Sequence, residues 1–123
     1  MNIIDSSCWL EYLMDTKIGA NIAPVIEDTS QLIVPTITLY EVYKKLSSEK
    51  SKEYAQEVIS YMQNGKVIDL DASLSLYAAD VSQKYKLAMA DSIIYATSLL
   101  YSAIVFSCDK HFKELSNVRY FPK

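Results

Sequence analysis

Glycine is almost missing from this chain, at two residues in 123, and proline follows at three. No Gly-rich loop is available to cradle phosphates, and no Pro/Gly-rich linker, internal repeat or low-complexity stretch divides the sequence. Histidine occurs once, as His111, and cysteine twice, as Cys8 and Cys108. A zinc centre of Cys and His ligands is therefore excluded, and so is a disulfide framework. Both cysteines fall near predicted strand ends and read as small buried thiols. The net charge of −3, with a single arginine, excludes a broadly basic surface, so any nucleic-acid contact must rest on a local patch. The one long apolar run, Leu87 to Cys108, carries Asp91 and is thinned by five Ser and Thr residues. It reads as a buried helix entering a buried strand, not a membrane span. With no secretory signal at its start, a soluble, cytoplasmic protein of one domain (residues 1–123) is expected.

What the chain does have is a core. Half of its residues are hydrophobic, which suffices for one domain of this length. Asn2–Ile4, Leu32–Val34, Val67–Leu70 and Ile104–Phe106 read as buried strands, and Val118–Phe121 as an edge strand. Helical periodicity over Cys8–Leu13, Gly19–Asp28, Leu39–Leu46, Ser51–Met62, Leu74–Tyr85 and Met89–Tyr101 fills the intervals, with a short helix at His111–Leu115. Ser6-Ser7 is the expected cap of the first helix and Thr36 or Thr38 of the third, while Asn64-Gly65 closes the fourth. Alternating strands and helices predict an α/β fold: a mostly parallel sheet of four to five strands with helices on both faces.

That topology gathers four acidic residues from distant parts of the chain. Helices in right-handed βαβ units run antiparallel to the strands, so helix N-termini share an edge with strand C-termini. Open α/β sheets bind ligands at that edge. Asp5 ends the first strand and Asp109 lies just past the fourth; Asp91 and Glu41 fall in the first two turns of their helices. Crowded carboxylates repel, which raises their pKa values or calls for a cation between them. Mg²⁺ and Mn²⁺ prefer oxygen ligands and sit beside substrate phosphates, so the cluster suits phosphodiester hydrolysis. Each acid also has a plain structural use. Asp5 and Asp91 would favour helix ends, Glu41 would pair with Lys44 or Lys45, and Asp109 would open a turn. Asp91 weighs most, because it interrupts an otherwise uncharged stretch.

Four segments carry these acids: Asp5-Ser6-Ser7-Cys8-Trp9-Leu10-Glu11-Tyr12-Leu13, Thr38-Leu39-Tyr40-Glu41-Val42, Ala90-Asp91-Ser92-Ile93-Ile94-Tyr95-Ala96-Thr97-Ser98 and Ser107-Cys108-Asp109-Lys110-His111-Phe112. In this order and rough spacing they resemble the PIN-domain family, and within it the VapC-type ribonuclease toxins of toxin–antitoxin pairs. Two departures stand out. Ser107 replaces the more usual Thr but keeps the hydroxyl, and Tyr85-Lys86-Leu87-Ala88 lacks the Gly often seen ahead of the third block. The resemblance implies a PIN-like fold and makes Asp5, Glu41, Asp91 and Asp109 metal ligands and catalytic acids, oriented by Ser7 and Ser107. It further implies Mg²⁺- or Mn²⁺-dependent endonucleolytic cleavage of RNA, a homodimer, and a small antitoxin whose C-terminal segment covers the groove beside the site.

Three further features admit two readings each. Lys44, Lys45, Lys50 and Lys52, interleaved with Tyr40, Tyr43 and Tyr54, either steer an RNA backbone or form a solvated face diluted by Glu49 and Glu53. Trp9, Leu10 and Leu13 belong to the core or to a dimer or antitoxin surface. His111 either assists proton transfer beside Asp109 or packs or hydrogen-bonds near the strand end. Two other function classes compete. A catalytically silent module binding RNA or a protein partner would share the fold, but an acid missing from a key position would mark it, and none is missing. A receiver domain would show adjacent acids after its first strand, and Asp5-Ser6-Ser7 does not.

Overall fold

The structure, a computed structural model, describes residues 1–123. Five strands form one sheet: β1 (Asn2–Ile4), β2 (Leu32–Pro35), β3 (Lys66–Ile68), β4 (Ile104–Ser107) and β5 (Val118–Tyr120). Their spatial order is β3-β2-β1-β4-β5, and every neighbouring pair is parallel. Six helices join them: α1 (Ser6–Leu13), α2 (Lys17–Glu27), α3 (Thr36–Glu49), α4 (Lys52–Met62), α5 (Ala72–Tyr85) and α6 (Met89–Leu100). Short 3-10 turns occupy Thr29–Gln31 and Lys110–Phe112. The predicted α/β class holds, with the sheet wholly parallel.

Parallel strands need both faces covered, and successive side chains point to opposite faces. Ile4, Leu32, Val34 and Phe106 enter a core beneath α1 to α4, while Ile3, Ile33 and Val105 enter a second core beneath α5 and α6. Trp9 is 1% exposed and packs edge-on against Tyr12 and Tyr61. It is a core residue, and only the half-buried Leu10 and Leu13 remain for a surface role. The α1–α2 corner depends on Gly19, where a Cβ would lie 2.7 Å from Tyr12 Cα and against the Glu11 carbonyl. Cys8 and Cys108 are free, buried thiols with their sulfurs 3.4 Å apart.

The apolar run from Leu87 behaves as expected. Ser92 to Ser98 are all buried in α6. The hydroxyls of Ser92, Thr97 and Ser98 donate to carbonyls of their own helix, which lets them enter an apolar setting. No helix is long and apolar enough to cross a membrane.

Helix starts are where expectation and structure part. Asp5, not Ser6-Ser7, takes the N-cap position of α1, and its side chain makes no cap hydrogen bond. Pro35 takes that position at α3 because the helix leaves β2 directly. Thr38, an expected cap, is instead fully buried, and its hydroxyl has no partner. Asp71 caps α5, accepting from the Leu74 amide at 2.8 Å, so the helix begins before its apolar stripe.

Candidate active site

The strand order places a switch point at β1 and β4: the chain builds outward from β1 on one side, then returns to add β4 on the other. A crevice opens beyond the C-terminal ends of such a strand pair. Asp5 follows β1 there and is 3% exposed. Its Oδ2 accepts hydrogen bonds from the hydroxyls of Ser7 and Ser107, both at 2.8 Å. Each serine in turn accepts a backbone amide, Ser7 from Cys108 at 3.1 Å and Ser107 from Asp109 at 2.9 Å. One carboxylate oxygen thereby ties the start of α1 to the end of β4.

Around this network lie Glu41 on α3, Asp91 in the first turn of α6, and Asp109 with His111 in the turn after β4. His111 Nδ1 stands 3.1 Å from Asp109 Oδ1 and 3.4 Å from Asp91 Oδ2. One ligand atom from each of these three residues lies within 4.8 Å of the others. The His111 amide also donates to Asp109 Oδ1, closing the turn. Glu41 Oε1 is buried and has no hydrogen-bond partner. No lysine or arginine forms an ion pair with any of the four acids.

The electrostatics follow from that arrangement. Burial pushes the Asp91 carboxyl up to about 6, helped by the charges of Asp109 and Asp5 and opposed by His111. Burial likewise raises Glu41, and the charges of Asp5, Asp91 and Asp109 add to it against an opposing hydrogen bond from Ser6. Asp5 is raised by burial against the opposing hydrogen bonds from Ser7 and Ser107, with a further push from Asp109. Desolvated carboxylates that sense one another's charge form a strongly negative crevice.

The sequence profile of the PIN domain family matches residues 3–118. The chain belongs to the PIN domain family. Solved PIN-like structures share its fold across nearly the whole chain. A toxin–antitoxin complex from Klebsiella pneumoniae superposes with a TM-score of 0.77 at 20% identity, covering 97% of this chain and 96% of that one. VapC20 from Mycobacterium tuberculosis, described as a sarcin–ricin loop-cleaving toxin, gives 0.76 at 14% identity, covering 99% and 100%. VapBC2 from Rickettsia felis, bound to a DNA fragment from its promoter, gives 0.73 at 15% identity, covering 98% of each chain. No curated protein matches the sequence.

Within this PIN domain, Asp5, Glu41, Asp91 and Asp109 all lie at the strand C-terminal edge, and Ser7 and Ser107 both touch Asp5. Asp91 and Asp109 each bring a carboxylate oxygen within 4.8 Å of the other and of His111; Asp5 is the most buried of the four, and Glu41 senses the charge of all three. His111, expected to pack or hydrogen-bond near the strand end, contacts two of the acids there while 71% exposed. The signal available was its Asp-x-His spacing, which one short turn converts into proximity. Lys44, Lys45, Lys50 and Lys52 are exposed; Lys45 pairs with Glu49 at 2.8 Å and Lys44 lies over the Tyr40 ring.

Proposed function

We propose that this PIN domain is a divalent-metal-dependent endoribonuclease, the toxin of a VapBC-type toxin–antitoxin pair. The observation that carries this reading is a crevice of four acids, three of them with raised pKa values, that contains no lysine or arginine partner and one buried, unpartnered carboxylate oxygen. Leaving such an oxygen unsatisfied costs about 1–3 kcal/mol, and crowding like charges costs more. A hard cation relieves both, so Asp5, Glu41, Asp91 and Asp109 fit Mg²⁺ or Mn²⁺ as its carboxylate ligands.

Bound there, such an ion supplies a lowered water pKa and neutralises charge on a phosphodiester. The remaining work belongs to the chain. Ser7 and Ser107 hold Asp5 in one orientation, and the amides they accept fix the backbone that presents Asp109. Asp91, raised by burial and by the charges of Asp109 and Asp5 in the metal-free chain, would be held ionised as a ligand by a bound cation. The reaction adds water across one P–O bond of RNA, and no covalent enzyme intermediate is needed.

Partners follow from the same reading. A groove of about 660 Å³ runs from Ser6 and Glu41 between α1 and α3 to Met14, Lys50 and Lys123. It has the position expected for the antitoxin's C-terminal segment, and a homodimer of this chain is the expected assembly. Purified protein incubated with a cellular RNA pool tests the activity. Cleavage with Mg²⁺ or Mn²⁺, abolished by chelator and by Asp91→Asn, is the expected result. Cleavage that persists in the variant, or none from folded, antitoxin-free protein with either ion, overturns it.

A further inference from the structure

His111 is the one nitrogen donor that reaches the carboxylates, and nothing else in the fold employs it. Its ring is 71% exposed, while the adjacent Phe112 takes the buried place in the same 3-10 turn. The spacing of its Nδ1 is informative. For bonds of about 2.1 Å, neighbouring ligands stand about 3.0 Å apart around an octahedral ion and about 3.4 Å apart around a tetrahedral one. The separations here are 3.1 Å to Asp109 Oδ1 and 3.4 Å to Asp91 Oδ2. A single Nδ1–H can donate well to only one carboxylate, yet the nitrogen lies within 3.4 Å of oxygens from both. The amide bond from His111 to Asp109 Oδ1, at 2.9 Å, holds the turn that aims it.

We infer that His111 Nδ1 is a ligand of the same cation centre, which makes the donor set mixed nitrogen and oxygen and favours a first-row transition ion such as Mn²⁺ over Mg²⁺. This rests on the metal reading of the crevice proposed above. The selectivity has a chemical basis. Mg²⁺ is satisfied by oxygen, keeps its waters and gains little from imidazole, whereas first-row transition ions accept imidazole nitrogen; Mn²⁺, the most oxygen-loving of them, gains least, so its preference over Mg²⁺ here is the smallest of the series. The four carboxylates alone would leave the choice between the two ions to availability.

The test compares wild type with His111→Ala and His111→Gln by Mn²⁺ binding, read from the free-ion paramagnetic resonance signal, and by pulsed resonance for nitrogen coupling to bound Mn²⁺. Mg²⁺ affinity is read by competition, and melting curves confirm that these exposed-site variants fold. Wild type is expected to show nitrogen coupling that both variants lose. Mn²⁺ affinity should fall about tenfold in both, with Mg²⁺ affinity changed by less than about twofold. Mn²⁺ bound to wild type without nitrogen coupling, or bound equally by the variants, overturns the role of His111 and leaves the carboxylate reading intact. If wild type binds no Mn²⁺ at all, both the ligand assignment and the metal reading fall.

Discussion

The two walls of the crevice satisfy their polar atoms in opposite ways. On the strand side, Asp5 Oδ2 accepts two hydroxyls, and the serines that donate them accept the Cys108 and Asp109 amides. Every group in that circuit answers another. On the helix side, Glu41 Oε1 has no partner, Asp91 is raised to about 6, and His111 stands exposed over two carboxylates. The first wall is completed by folding alone. The second carries charge that folding leaves unbalanced, as expected of a site that spends stability to bind something from outside.

The largest expected effect comes from removing charge on the unbalanced wall. Asp91→Asn or Glu41→Gln should lower RNA cleavage by about 10²–10⁴-fold, the equivalent of several kcal/mol of lost transition-state stabilisation. Both variants should stay folded, and in metal-free buffer both should melt above wild type, since each relieves repulsion. Rates on a defined RNA together with thermal melts check the two halves of the prediction. A loss of activity accompanied by unfolding would mean these carboxylates are structural.

Breaking the completed wall should show the reverse balance. Ser107→Ala, at a fully buried position, removes one of the two donors to Asp5 and leaves the part-buried Asp109 amide without its partner. A destabilisation of about 2–4 kcal/mol is expected in urea denaturation. Ser7→Ala, at a half-buried position, should cost less. Activity should fall in both, because Asp5 loses orientation and Asp109 loses its anchored backbone.

Proton linkage sharpens the contrast further. Asp91 titrates near about 6 in the folded chain against 3.8 ordinarily. The stability tied to its protonated form is complete below pH 3.8 and is lost as pH rises through about 6. Metal-free protein should therefore lose about 2 kcal/mol of unfolding free energy between about pH 4.5 and 7.5 from Asp91 alone. Saturating Mn²⁺ should offset much of that loss at the upper pH and do little at the lower, where protons compete for the ligands. Denaturation across this range, with and without the ion, reads the effect; a metal-free stability that rises toward neutral pH contradicts it.

How much of this could be read in advance depends on which residues answer to topology and which to detail. Asp5, Glu41, Asp91 and Asp109 converge because strand ends and helix starts share an edge, a rule that needs only the order of elements. The sharing of one Asp5 oxygen by Ser7 and Ser107 depends on register between β1 and β4, which pairs Ile4 with Phe106 and no pattern in either segment reveals. Helix starts were misplaced at Ser6-Ser7 and at Thr36 or Thr38 because the chain leaves β1 and β2 straight into helix, and Asp5 and Pro35 take the cap positions. That His111 reaches Asp91 as well as Asp109 was not legible, because a 3-10 turn sends Phe112 inward and its neighbour outward, a choice that composition does not encode.

The turn before α6 supplies the smallest effect and the cleanest control. The family's usual glycine is absent there, and Lys86 adopts φ 56° and ψ 49° at the C-terminus of α5. Its amide still closes on the Ser82 carbonyl, and the Ser82 hydroxyl donates to Leu87, so the turn is kept with a side chain in left-handed backbone. For a residue with a Cβ that conformation costs about 1–2 kcal/mol. Glycine removes the strain but returns about 0.4–1 kcal/mol through greater freedom of the unfolded chain. Lys86→Gly should therefore stabilise by about 1 kcal/mol or less, seen as a higher urea midpoint with unchanged slope. Lys86 is exposed and five residues from Asp91, so metal affinity and cleavage should not move. Were Lys86→Gly to change either, the turn itself would set the position of Asp91, and the unbalanced wall would extend into the backbone that carries it.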